Sequence, residues 1–228
     1  MGIAVITHKT GTTNANGATT AAGDTTGASL IVIAVATIFN ATPTPTDLLN
    51  GSASGNTWTP LTAYADGGTS FVRLYYCVNP NTSSTHTFSV SSGSGIYPSI
   101  FMIAFSGTDT STPFDVQNGA SHSSGTTLAT GSVTPSKALS VFVTAFATFT
   151  SNVSSIDSSF TISDSQTFQG ANHSGGAMAY KIQSGSATAE NPTWTESSSN
   201  SGCAAIAIFK PASTTTGAPL ALLLTEDE

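Results

Sequence analysis

The sequence predicts an all-β fold, an antiparallel β-sandwich of about ten strands, on three observations. Charged residues make up only 7% of the 228-residue chain, and Gly, Ser, Thr and Asn fill much of the sequence between its apolar runs. Those runs are contiguous or alternating and do not follow the 3.6-residue period of a helix. They are rich in β-branched and aromatic residues and long enough to pack into a core, unlike the runs of a disordered chain.

Each predicted strand is an apolar or alternating run bounded by turn-forming residues. Residues 30–39 form the longest apolar run, and residues 85–91 alternate, with His86, Phe88 and Val90 on one face. The long segment 107–136 is predicted as a loop. The complete set of predicted strands is 3–7, 30–39, 56–63, 70–78, 85–91, 99–106, 139–149, 160–165, 176–183, 192–197 and 203–210.

The predicted strands fall into two series that resemble each other in order. SLIVIAVATIF (29–39) matches ALSVFVTAFATF (138–149), and SIFMIAF (99–105) matches CAAIAIF (203–209). Each pair is offset by about a hundred residues, which is typical of a duplicated unit. Either the sandwich has two pseudo-repeated five-strand halves, or two strand series of similar length look alike by chance. The remaining pairs are 56–62 with 158–165, 70–78 with 175–183 and 85–92 with 191–198.

One sandwich domain over residues 1–211 is expected, because each half alone offers only a few short strands. Residues 30–39 and 100–105 are apolar on both faces, whereas a strand in an antiparallel sandwich usually has one wet face. Their outer faces must be covered by the segment 107–136, by the N-terminal strand or by another subunit. This pattern favours self-association.

The charge pattern argues against nucleic acid and membrane partners. The net charge is −7, the chain ends in three acidic residues, and the few basic residues are scattered singly. Without a basic patch, binding to DNA, RNA or an anionic membrane is not expected. The start MGIAVITHKTGTT lacks the features of a secretory signal, and no apolar run is long enough for a membrane-spanning helix. We therefore expect the chain to fold in the cytoplasm where it is made.

No pattern typical of a catalytic or metal centre occurs, so neither an enzymatic activity nor a cofactor is predicted. GSASG (51–55) has Ala53 where a Gly-x-Ser-x-Gly motif needs its nucleophile. Glu190 and Glu196 would lie about 20 Å apart along a strand, too far for a glycosidase pair. Asp109 and Asp115 fit an Asx-turn loop better than a Ca²⁺ loop. The histidines are isolated, without zinc-ligand spacing: His8, His86, His122 and His173.

Six further side chains are candidates for surface or core roles. A glycan platform would use Trp58, Tyr64, Tyr97 and Trp194. Trp58 and Trp194 occupy equivalent places in the proposed repeat, which favours a role in the core. For Cys77 and Cys203, two buried free thiols are favoured, and a cross-sheet disulfide is the alternative.

The run GASLIVIAVATIF…GNTWTPL…SFVRLYYCV…THTFSVSS…SIFMIAFSG resembles a jelly-roll or lectin-like β-sandwich module of phage virion proteins and large bacterial surface proteins. Its features lie in residues 28–107, and AYKI and CAAIAIFKP continue the likeness more loosely to residue 211. The resemblance implies an architecture and a structural or ligand-binding role, and it carries no catalytic motif.

The chain ends in a polar linker and an apolar segment with an acidic end, residues 212–228. PLALLLT (219–225) is long enough to add a strand to the sheet edge of a partner, and the alternative is that it completes this domain's own sheet. The predicted partner-binding residues are Leu220, Leu222, Leu223, Leu224, Glu226, Asp227 and Glu228.

These features predict a non-catalytic structural protein of a phage virion, a capsid decoration, fibre or tail component. Its partners would be other virion proteins and copies of itself, and its location the virion. The alternative is a carbohydrate-binding or adhesive module of a virion or cell surface, with a cell-surface glycan as its partner. A glycan hydrolase is a third interpretation, and it lacks the carboxylate pair that it needs.

Overall fold

All regular structure in the described residues is β-strand. The computed structural model describes residues 2–11, 16–39, 43–91, 95–170 and 174–213. Within these ranges the predicted all-β class is confirmed, and the strands number fifteen, more than the ten expected. They are β1 (Ala4–Gly11), β2 (Gly17–Thr19), β3 (Leu30–Ile38), β4 (Thr46–Leu49), β5 (Ser52–Ala53), β6 (Thr59–Ala65), β7 (Ser70–Val78), β8 (His86–Ser91), β9 (Ser99–Ser106), β10 (Phe114–Ala129), β11 (Val141–Thr148), β12 (Val153–Ile156), β13 (Thr161–Gln166), β14 (Gly175–Ile182) and β15 (Thr193–Phe209).

Two central sheets pack face to face. Their strand orders are β1-β9-β3-β7-β6 and β10-β15-β11-β14-β13, and every pairing is antiparallel. Alternate residues of β3, such as Val32 and Ala34, meet residues of β11, such as Val143 and Ala145, in a shared core. Burial of these apolar side chains between two layers is the main stabilising contribution, as in other sandwiches.

The outer face of each central sheet is covered within the same chain. Over the first sheet, a small sheet of order β2-β8-β4-β5 places Phe88 and Val90 on the outward side chains of β3, such as Ile33. Over the second, Trp194 and Leu128 cover outward residues of β11 and β15, which include Phe142, Phe146 and Ile206. The two-faced apolar strands therefore need no second subunit, and the reason they gave for expecting self-association is removed.

The predicted loop 107–136 contains the 16-residue strand β10, so that prediction was wrong. β10 pairs along β15 from Phe114↔Phe209 to Ala129↔Thr193, with bulges near His122 and Gly125. Its side chains are mostly small and polar, and many of them are half-buried. The main-chain ladder supplied by β15 holds the strand at the sheet edge, so its position does not require a run of large apolar side chains. The predicted strands 192–197 and 203–210 are likewise one long strand, β15, which includes an exposed segment at Ser197–Ser199.

The pairing registers of the two central sheets correspond. In the first sheet, Leu30 of β3 lies opposite Val78 and Phe105. In the second, Val141 of β11 lies opposite Ile182 and Phe209. The edge strands meet crosswise, because β1 lies against β13 and β6 lies against β10.

The sandwich has two distinct ends. β3 and β11 end at one of them, where Phe39, Tyr97 and Phe149 lie in contact, and we call it the aromatic end. β15 ends at the opposite end with Phe209, and Lys210–Ser213 follow there. We call this the arm end, because the C-terminal segment 214–228 follows these residues in the sequence. The predicted partner-binding residues 220–228 lie outside the described residues.

Candidate functional site

The two tryptophans are buried in different cores and cannot stack on a sugar. Trp58 is 8% exposed and donates its Nε1–H to Asp47 Oδ1 at 2.9 Å. Trp194 is fully buried and donates to Thr144 Oγ1 at 3.1 Å. Trp58 precedes edge strand β6 whereas Trp194 lies within β15, so their places in the fold are not equivalent.

The two tyrosines of the predicted platform have different neighbours. Tyr64 on β6 is half-buried, and a Cβ added at Gly119 would lie 2.5 Å from its ring. Burial raises the pKa of Tyr64. One side of the Tyr64 ring is therefore occupied by β10, whereas the Tyr97 ring contacts Phe39.

Among the strands before residue 107, a hydroxyl, an imidazole and a carboxylate are linked by hydrogen bonds in the order of a nucleophilic triad. Thr25 Oγ1 lies 2.9 Å from His86 Nδ1, and His86 Nε2 lies 2.7 Å from Asp47 Oδ2. Burial tends to raise the pKa of Asp47, but hydrogen bonds from His86, Ser54, Trp58 and Asn56 outweigh it and hold that pKa below its usual value. An ionised carboxylate only accepts, so His86 Nε2 donates to Asp47, while the Thr25 hydroxyl donates to Ser83 O at 3.3 Å and also lies within hydrogen-bond distance of Nδ1.

This network holds the small outer sheet in place. Thr25 and His86 are 0% exposed and Asp47 is 6% exposed, so no substrate reaches the hydroxyl in this structure. Through Trp58 and Asn56, Asp47 also ties β4 to the segment before β6. The arrangement is a satisfied buried network that fixes strand positions.

At the aromatic end, three rings form a cluster that is open to solvent. Phe39 contacts Phe149 with ring centroids 5.8 Å apart and Tyr97 at 6.5 Å, both edge to face. Phe39 is 51% exposed, the largest exposure among the bulky apolar side chains of the described residues. Phe39 and Tyr97 have φ angles of 62° and 47°, in the left-handed region that bulky residues rarely occupy. Such backbone outliers cluster at binding sites, which makes this cluster a candidate.

A polar cleft of about 340 Å³ adjoins Phe149 and is called the hydroxyl cleft. Thr69 Oγ1 and Ser201 Oγ lie 2.7 Å apart within it. Asp66 accepts hydrogen bonds from the backbone N–H groups of Gly68, Thr69 and Ser70. Burial tends to raise the pKa of Asp66, but these bonds and the Thr69 hydroxyl hold it far below its usual range. The cleft lining comprises Asp66, Gly67, Gly68, Thr69, Ser123, Phe149 and Ser201.

His122 and Glu196 join β10 to β15 near the hydroxyl cleft. Their Nε2 and Oε1 atoms lie 2.9 Å apart, and Thr148 Oγ1 donates to Glu196 Oε2 at 2.5 Å. Burial raises the pKa of Glu196, because its side chain is fully shielded from water. The carboxylate is therefore placed to hold the two strands together and does not face the cleft.

The arm end contains a larger cleft, of about 740 Å³, called the arm-end cleft. Ala212 N–H donates to Gly107 O at 2.9 Å, so the chain is anchored to the body up to the cleft wall. Asp109 caps its own turn by accepting from Ser111 and Thr112 N–H, as the predicted Asx-turn requires. The lining comprises Gly2, Asp109, Thr112, Lys137, Ala138, Leu139, Lys210, Pro211, Ala212 and Ser213.

The described residues also bear on the cysteines, on metal binding and on membrane-spanning helices. Cys77 and Cys203 are buried free thiols, so the favoured interpretation is confirmed. Within the described ranges, no three His, Cys, Asp or Glu side chains come together to hold a metal ion. The part of the chain that the structure describes contains no helix that could cross a membrane.

Comparisons with known proteins return no match. No protein-family model matches the chain, and neither the curated proteins nor the solved structures contain a significant match to it.

Proposed function

We propose that this chain is a non-catalytic structural protein of a phage virion that assembles through protein–protein contacts of its C-terminal segment. We call residues 219–228 the arm and the described residues of 2–213 the body. One observation carries the proposal: the three cores of the body are covered on both sides by residues of the body itself. The leucines of the arm are not needed to complete these cores, so we expect them to bind the surface of a partner protein.

The energetics favour an arm that acts in many copies. Burying each leucine contributes about 1.5–3 kcal/mol, while ordering the backbone costs about 1–2 kcal/mol per residue. The net gain per contact is therefore small, and repetition around a symmetric particle or ring makes the attachment firm. A capsid decoration, a fibre or a tail component all provide such repetition.

The test compares the full chain with a chain that ends at Ser213. We expect the shorter chain to keep its melting temperature within about 2 °C, because no core is opened, and to lose association in light scattering. A matched control replaces Thr214, Thr215 and Thr216 with Ser and keeps association. If the shorter chain unfolds, the arm belongs to this domain's own core and the proposal fails.

A second candidate function, carbohydrate binding, is favoured by the aromatic end. The half-exposed Phe39 ring beside Phe149 and the adjacent hydroxyl cleft combine an apolar face with convergent polar groups, the combination that small-ligand sites use. An adhesive module of a virion or cell surface would carry such a site at its free end. A virion component can combine both roles.

Glycan-array binding followed by titration tests this candidate. We expect Phe39→Ala to weaken binding of any captured glycan by about tenfold, because burying the exposed ring against the sugar contributes about 1.5 kcal/mol or more. Leu48→Ala, at another exposed apolar residue, is the matched control and leaves binding unchanged. Equal binding by both variants would place the glycan elsewhere.

We also propose that the two central sheets descend from one duplicated five-strand unit. The corresponding registers at Leu30 and Val141 support it, as does the crosswise contact of β1 with β13 and β6 with β10. An experimental structure tests it: the halves should superpose by a rotation of roughly 180°, as in a two-fold pair. A shift of register between the superposed sheets would overturn the duplication.

A further inference from the structure

We infer that the arm-end cleft is the receptor for the arm of a second copy of this chain. The inference rests on the proposed function, in which the arm binds a protein, and it names both the partner and the surface.

The cleft offers an apolar contact next to two ammonium groups. Leu139 is 46% exposed, one of three large apolar side chains so exposed in the described residues. It has a φ of 61°, and the turn around it is closed by Ser140 Oγ donating to Lys137 O at 2.8 Å. This turn presents Leu139 to solvent beside Lys137, and Ala138, Pro211 and Ala212 extend the lining.

The charges of the cleft complement those of the arm. The arm ends in three consecutive acidic residues, Glu226, Asp227 and Glu228, in a chain of net charge −7. Lys137 and Lys210 are two of only five basic residues. Among the described residues, Lys137 forms no ion pair, whereas Lys181 is already paired with Glu190 at 2.6 Å.

Asp109 is the opposing charge in this cleft. Its carboxylate is turned to the N–H groups of Ser111 and Thr112, and Lys210 lies close enough to lower its pKa further. Lys210 therefore faces one carboxylate of the body, and Lys137 is the freer cation for an incoming acid. The cleft keeps a net positive lining from its two lysines and one aspartate.

The arm is better suited to the cleft of a second copy than to the cleft of its own chain. Ser213 lies on the cleft wall, and the five residues 214–218 span at most about 18 Å when extended. To bring Glu226 back to Lys210, the chain would have to reverse beside its own exit. The segment contains no Asn-Gly or Asp-Gly, the strongest signal for a tight hairpin.

Reciprocal exchange between two copies needs no such reversal. When two arm ends face each other, each arm runs forward into the opposite cleft, and the smallest closed assembly is a two-fold dimer. Its aromatic ends then point away from each other, which leaves both free for a ligand.

A charge-swap mixture of full-length chains tests the inference. One variant carries Lys137→Glu and Lys210→Glu; the other carries Glu226→Lys, Asp227→Lys and Glu228→Lys. Alone, each pairs like charges, and we expect its dissociation constant for self-association to rise about tenfold or more at low salt. Mixed in equal amounts, they regain the mass of the wild-type assembly, because each cleft then meets an oppositely charged arm.

The outcomes separate this inference from the proposed function. Two single reversals are compared as a control: Lys137→Glu should weaken self-association, whereas Lys9→Glu, on β1, should leave the mass unchanged. Restored mass in the mixture supports the second copy, and its absence overturns it, as does a wild-type chain that is monomeric at all concentrations. Arm-dependent association that ignores the lysine reversals overturns the cleft assignment alone and leaves the proposed function standing.

Discussion

Asp47 is the residue on which the buried polar contacts of the first half converge. Its two oxygens accept from His86, Trp58 and Asn56, so it joins the outer sheet to the segment before β6. A buried donor left without an acceptor costs about 1–3 kcal/mol, so removing this carboxylate of β4 would leave several donors unsatisfied at once.

Asp47→Ala should therefore lower the free energy of unfolding by about 3–5 kcal/mol, the usual cost of breaking a buried charged network. Asp47→Asn should cost less, because the amide oxygen still accepts. Urea denaturation at pH 7 measures both, with Asp109→Ala as the control in an exposed turn. A loss of under about 1 kcal/mol for Asp47→Ala would show that the network is not stabilising.

The contribution of Asp66 to stability should depend on pH. Its pKa is lowered in the folded state, so its carboxylate contributes fully above the unfolded-state pKa, and the contribution is lost as pH falls toward the folded pKa. Asp66→Asn should cost about 1 kcal/mol at pH 7, after solvent screening is allowed for. The difference should persist at pH 4 and shrink in stronger acid. Denaturation series of both proteins measure it, and a constant difference down to pH 2 contradicts the pKa assignment.

At the scale of elements, β10 and β15 organise the second half. Both strands are long, so each pairs within the central sheet and also reaches the layer over its outer face. Trp194 lies on that part of β15 and closes the outer core over Phe146, with ring centroids 6.0 Å apart. Trp194 is therefore the largest side chain in the cover of this sheet, which also includes Leu128 and Phe160.

Trp194→Ala should cost about 3–5 kcal/mol of stability, the range for deleting a large buried aromatic side chain. Trp194→Phe keeps most of the volume and should cost clearly less. Chemical denaturation compares the two variants. Tryptophan fluorescence should also stay unchanged during any glycan titration, because both indoles are buried; quenching by a sugar would contradict that burial.

At the scale of the whole molecule, the shared core couples the two halves. Residues of both central sheets, such as Val32 and Val143, lie in one cluster, so neither half can unfold without exposing the other's inner face. Cooperative all-or-none unfolding is the expected consequence.

Single-tryptophan variants test this coupling. In Trp194→Phe the remaining Trp58 reports on the first half, and in Trp58→Phe the remaining Trp194 reports on the second. For each variant, the fluorescence melt should coincide with the melt followed by circular dichroism. Separate midpoints within one variant would show that the halves unfold independently.

The sequence alone predicted the all-β class and the central strands, and it favoured free thiols over a disulfide. The predicted strands 30–39, 70–78 and 99–106 coincide with β3, β7 and β9 to within a residue. The apolar runs of β3 and β9 are a local property, because a strand buried on both faces is apolar at nearly every position whatever it pairs with. The burial of Trp58 was favoured as well, although its partner Asp47 was not foreseen.

Only the tertiary structure showed that residues 114–129 form a strand, that β15 is continuous, and which residues gather at the two ends of the sandwich. β10 is held by main-chain hydrogen bonds from a strand about eighty residues away, so its small polar side chains carry little pattern of their own. The aromatic end and the arm-end cleft likewise bring together residues that are distant along the chain, such as Phe39 with Phe149 and Asp109 with Lys210. Contacts of this kind depend on how the sheets are paired and stacked, which no local run of residues specifies.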